Sequence, residues 1–148
     1  MHLILWRHAE AEDGRDDLAR ALTARGQHEA QRSAAWLKDQ LRERPVRVLA
    51  SQARRAQQTA LAFTPQFGID PRLNPDVPAA SYLAAAGWPH ADTAVLLVGH
   101  QPTLGWLASL LLAGTELDWD VRKSGVWWLE YHPGGGMQAR LDAVYAPS

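Results

Sequence analysis

The 148-residue sequence contains no cysteine. That excludes disulfides, thiolate metal sites and cysteine nucleophiles, and it fits a reducing compartment. A charge excess is also missing. The formal net charge is -1, so no basic surplus points to nucleic acid. Long apolar runs are absent. Leu3–Trp6 is too short for a signal-peptide core, Arg7 interrupts it, and no stretch approaches the length of a transmembrane helix. The expectation is a cytoplasmic protein that engages neither membrane nor nucleic acid. Internal repeats and low-complexity tracts are absent too. What is present is 47% hydrophobic and 21% charged residues, enough apolar material for a core and a composition unlike that of disordered chains. The length suits one domain over residues 1–148.

The apolar pattern predicts the elements in turn. His2–Trp6 reads as a buried strand. Thr23 caps a helix carrying Ala30, Ala34, Leu37 and Leu41 at helical spacing to about Arg44, where Pro45 ends it. Val46–Ala50 is a second strand, followed by a helix from Ser51 to about Phe63 that Pro65 and Gly68-Ile69-Asp70-Pro71 break. Arg72–Pro78 is an extended loop, Ala79–Ala86 a short helix and Thr93–Val98 a third buried strand. Pro102 occupies the first turn of a helix over Leu104–Leu112, and Gly114 closes it. Val126–Tyr131 and Met137–Tyr145 read as strands joined by the turn His132-Pro133-Gly134-Gly135-Gly136. The alternation implies a single-domain three-layer α/β/α sandwich, its sheet mostly parallel with a C-terminal antiparallel hairpin.

Three polar segments begin where predicted strands end: Arg7-His8-Ala9-Glu10-Ala11, Ser51 to Thr59, and Gly99-His100-Gln101-Pro102. Parallel strand ends share one sheet edge, the usual place for a ligand in open α/β sheets. Arginine suits phosphate because its planar fork donates paired hydrogen bonds and stays charged. Helix starts at Ser51 and Pro102 add free amides and positive dipole ends. An arginine and two histidines gathered there point to phosphate chemistry with a histidine nucleophile.

In these segments the chain resembles the histidine phosphatase (phosphoglycerate-mutase-like) superfamily, and within it the small SixA-type phosphohistidine phosphatases. Arg7-His8-Ala9-Glu10-Ala11 is similar to the family's opening motif. Arg20-Ala21-Leu22-Thr23 with Gly26 is similar to Arg-Pro-Leu-Thr-x-x-Gly, with Ala21 in place of proline. Ser51 to Thr59 is similar to Ser-x-x-x-Arg-Ala-x-Gln-Thr, which aligns Arg55, not Arg54, with the phosphate-binding arginine. Gly99-His100-Gln101-Pro102 is similar to Gly-His-x-Pro. A lone Arg-His is weak, but these segments recur in the family's order and spacing. The resemblance implies a hydrolase in which His8 takes the phosphoryl group and water then releases it. It implies that Arg7, Arg55 and His100 hold the phosphoryl oxygens and that Arg20 assists. No metal or other cofactor is implied, and the sequence shows no ligand cluster for one.

Larger members protonate the leaving group with a glutamate on an inserted helical segment. The connection from Arg55 to His100 is too short for a large helical cap, and Asp76 is the carboxylate in its middle. Asp76 is therefore the candidate general acid, beside the plainer reading of a turn former. An uncapped site admits a phosphorylated side chain displayed on a protein. A weak acid matters least for a phosphoramidate, whose protonated imidazole leaves readily. Both favour phosphohistidine in a protein as the substrate. The alternatives are a phosphomonoesterase for a small phosphorylated metabolite and a phospho-binding regulatory module with little turnover. The residues set no oligomeric state, although a tryptophan-bearing edge hairpin is where a dimer would form. Arg54 reads as solvated and Ser51 as a cap or an indirect phosphate contact. His2, His28, His90 and His132 read as surface or turn residues.

Overall fold

The computed structural model describes residues 1–134 and 138–148. Strand β1 is His2–Arg7, whose apolar Leu3–Trp6 are all fully buried. Helix α1 is Ala24–Leu41. Thr23 caps it by accepting a hydrogen bond from Gly26 N at 2.9 Å, and Ala30, Ala34, Leu37 and Leu41 form its buried stripe. Strand β2 is Val46–Ala50, helix α2 Arg54–Phe63 and strand β3 Gly68–Ile69. Helix α3 is Ala79–Ala86 and strand β4 Ala94–Gly99, buried throughout. Helix α4, Thr103–Ala113, ends on Gly114 at φ 81°, a left-handed position that glycine takes without strain. Strands β5, Val126–Tyr131, and β6, Ala139–Tyr145, complete the chain.

All six strands form one sheet in the order β3-β2-β4-β1-β5-β6. The first four pair in parallel, while β5 runs antiparallel to β1 and to β6. Side chains alternate across the strands. Leu3, Leu5, Val95 and Leu97 face α3 and α4, whereas Ile4, Trp6, Leu96 and Val98 face α1 and α2. A strand covered on both faces must be apolar at every position, which is why β1 and β4 read as continuous runs. The result is the three-layer α/β/α arrangement. Between α2 and β4 lie only β3, a 3-10 turn at Pro71–Leu73 and the eight-residue α3, so no large helical cap covers the sheet edge.

Some boundaries differ from the sequence pattern. Helix α2 starts at Arg54, three residues after Ser51: the Ser51 hydroxyl accepts from Ala53 N at 3.2 Å, and Ala53 is still extended at ψ 132°. Pro102 stands immediately before α4 rather than inside its first turn. The two-residue β3 lies among residues that read as breakers, and a strand that short shows no alternation to detect. Of the predicted hairpin, Gly135, Gly136 and the strand start at Met137 lie outside the described residues.

Candidate active site

The parallel register of β1 and β4 creates the site. Arg7 pairs with Gly99, so the next residue of each strand, His8 and His100, emerges beside the other. His8 N donates to Gly99 O at 3.1 Å, and the imidazole centroids are 5.1 Å apart. Strand β2 ends beside β4, bringing Ser51 to the same edge with its N donating to Val98 O at 3.3 Å. Helix α2 then starts at that edge and delivers Arg55, which is only 4% exposed.

The partners assign the tautomers. His8 Nδ1 lies 2.7 Å from Ala9 O, an acceptor, so Nδ1 carries the proton and Nε2 keeps its lone pair. Arg55 Nε–H points at that lone pair from 3.4 Å. Arg55 Nη2, which can only donate, lies 3.4 Å from His100 Nδ1; His100 Nε2 therefore bears the proton and donates to Ser51 Oγ at 2.7 Å. Burial pushes the His8 pKa down to about 4; the Ala9 carbonyl opposes it, and the charges of Arg55, Arg7 and Arg20 add to it. Burial, with His8 and Arg55 beside it, pushes His100 down to about 2. Both rings are neutral at pH 7, and the site's positive charge comes from arginine.

Arg7 donates from Nη1 to Val121 O at 3.0 Å, while its Nε is buried and, among the described residues, has no partner. An unpartnered buried N–H is costly unless a ligand uses it. Arg20 joins the site indirectly. Its Nε donates to Glu12 O at 2.7 Å and its Nη1 to Asp17 Oδ1 at 3.0 Å. Asp76 is exposed, in a turn at φ 67°, and has no hydrogen bond or ion pair with either histidine or Arg55 among the described residues. Arg54 is exposed, and Thr23 is a helix cap whose hydroxyl also donates to Glu10 Oε2 at 2.8 Å.

Several further residues support the site, and of these Tyr82 and Asp17 escaped the sequence reading. Tyr82 on α3 accepts from His100 N at 3.0 Å and donates to Leu73 O at 3.0 Å. Thr59 on α2 accepts from Ala9 N at 3.1 Å, which steadies the carbonyl that orients His8. Ser124, buried at φ 57°, donates from N to His8 O at 3.2 Å and is tied by Ser33 Oγ and Trp6 Nε1. Asp17 bonds Arg55 directly. Tyr82 comes from another element, so local spacing carries no signal for it, whereas Lys123-Ser124 stands just before the hairpin, a place from which the pocket rim is within reach. Thr59 lay inside the quoted α2 motif.

Away from this edge, His2 is not a plain surface residue. Its Nδ1 accepts from Trp128 Nε1 at 2.9 Å and lies within 4.0 Å of Glu130 and Asp142 carboxylate oxygens. This trio has metal-ligand chemistry that the sequence did not show, but Trp128 takes His2 Nδ1 and Arg140 bonds one oxygen of each carboxylate, at 2.9 and 3.1 Å.

The model of the histidine phosphatase superfamily (branch 1) matches residues 3–89. Among solved structures, the SixA protein of Agrobacterium tumefaciens is 25% identical with a TM-score of 0.80, the alignment covering 99% of this chain and 98% of that one. A protein histidine phosphatase SixA complexed with tungstate is 26% identical at a TM-score of 0.78, covering 99% and 97%. A mycobacterial glucosyl-3-phosphoglycerate phosphatase, 19% identical at 0.69 over 95% and 96% of the two chains, shares the fold. No curated protein matches the chain.

Proposed function

Since the chain belongs to the histidine phosphatase superfamily and is accordingly a phosphatase, we propose that it hydrolyses phosphohistidine in proteins through a phosphoryl intermediate on His8. One observation carries the mechanism: His8 is neutral, with its Nε2 lone pair held open toward Arg55 by the Nδ1 bond to Ala9 O. A nucleophilic nitrogen is thus ready without any proton transfer.

His8 Nε2 attacks phosphorus as the substrate's phosphorus–nitrogen bond breaks. The electron pair of that bond leaves on the substrate imidazole, which departs neutral when its other nitrogen is protonated. Water then attacks phosphorus, the bond to His8 Nε2 breaks and phosphate is released. Arg7 Nε and the Nε/Nη2 edge of Arg55 donate to phosphoryl oxygens, and fixed donors of this kind supply most phosphoryl-transfer catalysis. The Ser51 hydroxyl both donates and accepts, so it can turn to donate to His100 Nε2. The ring then presents Nδ1–H to a phosphoryl oxygen.

The uncapped sheet edge supports a substrate presented on a protein surface, because a small metabolite gains affinity from enclosure. Asp76 as general acid finds no support in its contacts, and a phosphoramidate needs an acid least. No described helix is long and apolar enough to cross a membrane. The test is phosphate release from a phosphohistidine protein and from a panel of phosphomonoesters, by the native chain and by His8→Ala. Selective release from phosphohistidine, lost in the variant, is the expected result. His8-dependent preference for one monoester would move the substrate to a metabolite. Binding of either class without His8-dependent release would replace the enzyme with a phospho-binding module.

A further inference from the structure

The chain after the nucleophile loop forms a short 3-10 turn, Asp17–Ala19, which places Asp17 against Arg55. Two groups of Asp17 meet the far end of that guanidinium. The backbone carbonyl accepts from Nη1 at 2.6 Å, and Oδ2 accepts from Nη2 at 3.1 Å. The other carboxylate oxygen, Oδ1, accepts from Arg20 Nη1 at 3.0 Å, and Arg20 is itself pinned to Glu12 O at 2.7 Å.

The consequence for Arg55 follows from its shape. A guanidinium offers two donor edges, one between the Nη atoms and one formed by Nε and Nη2. Asp17 takes up the end between the Nη atoms. That leaves the Nε/Nη2 edge facing the histidines, with Nε 3.4 Å from His8 Nε2 and Nη2 3.4 Å from His100 Nδ1. It is this edge that would meet a phosphoryl group on His8. Among the described residues, the guanidinium's other hydrogen-bond partners are the two site histidines alone.

We propose that Asp17 is a positioning residue which, braced by Arg20, fixes the rotation of Arg55 so that its Nε/Nη2 edge faces the phosphoryl site. This rests on the function proposed above. It also gives Arg20 a task that needs no contact with phosphate. The carboxylate adds negative charge beside the anion site, a cost in ground-state affinity that alignment of the transition state offsets.

The experiment compares Asp17→Ala and Asp17→Asn with the native chain by phosphate-release kinetics, inorganic phosphate binding and the Arg55 Nε–H resonance in ¹⁵N NMR. Circular dichroism checks that each variant is folded. Loss of alignment in Asp17→Ala is expected to lower kcat about 10- to 100-fold with little change in KM. In Asp17→Asn the amide oxygen can still accept from Nη2, but the amide NH2 faces the Arg20 donor and loses that brace, so part of kcat returns. The Arg55 Nε–H signal is expected to be sharp in the native and Asn proteins and broadened in the Ala protein. Unchanged kcat in Asp17→Ala, or unchanged kcat with tighter phosphate binding, would overturn the proposal and leave Asp17 as a competitor for the anion site. If the native chain shows no His8-dependent release, the proposed function fails. The Arg55 resonance then decides the role of Asp17 alone, and an unchanged signal in the Ala protein would refute it.

Discussion

His8 owes its proposed role to two atoms of other residues. Ala9 O accepts a hydrogen bond from its Nδ1–H, and Thr59 Oγ1 accepts from the Ala9 amide. Burial keeps the ring neutral, with a pKa near 4 rather than the ordinary 6.5. Protonation would remove the lone pair, so activity should fall on the acid side only as pH approaches about 4. An NMR titration of the His8 imidazole checks this, and a midpoint near 6.5 would contradict it. Ser51→Ala removes the partner of His100 Nε2. It should lower kcat about 10-fold and, because Ala53 N also loses its Ser51 Oγ acceptor, lower stability by about 1–3 kcal/mol, measured by steady-state kinetics beside thermal unfolding.

At the scale of elements, the site depends on how helices meet strand ends. Helix α3 reaches the site through Tyr82, whose hydroxyl bridges His100 N and Leu73 O. Tyr82→Phe leaves two buried backbone groups unpaired and should destabilise the fold by about 1–3 kcal/mol, read from urea unfolding. The start of α1 packs on the loop after His8 without space for a side chain. A Cβ on Gly26 would lie 2.0 Å from Glu10 O. Gly26→Ala should therefore push that loop, costing about 1–3 kcal/mol and lowering activity together with Tm. The Gly26 of the Leu-Thr-x-x-Gly pattern, legible in the sequence only as a motif residue, acquires a steric reason in the structure.

For the whole molecule, the candidate active edge is bound to global stability. The unfolded chain titrates His8 and His100 near 6.5, while the folded chain keeps both neutral. Below that pH the unfolded state binds more protons, so stability rises with pH. The stability present above about pH 6.5 is lost as pH falls toward about 4 for His8, and further toward about 2 for His100. Urea midpoints at pH 7 and pH 4.5 should show this loss, with a smaller difference in His8→Ala and His100→Ala. An equal difference in all three proteins would place the acid sensitivity elsewhere. Two cores flank the sheet and share its strands, so both faces should unfold in one transition.

The sequence by itself determined the major elements, the two-residue β3 apart, and their ends to within a few residues. Runs such as Leu3–Trp6 and Val95–Val98 are apolar throughout because both sheet faces are covered, and that is visible without coordinates. Arg7, His8, Arg55 and His100 were legible because each lies within a short local motif after a strand or at a helix start. Only the tertiary structure decided which atoms those side chains face. The register of β1 on β4 set His8 beside His100. The fold of the loop after β1 brought Asp17, not Asp76, to the guanidinium of Arg55. Contacts between residues far apart in the chain have no spacing to betray them, since they arise from packing of whole elements rather than from local periodicity. Tyr82 on His100, Ser124 under His8 and Asp17 on Arg55 are of that kind.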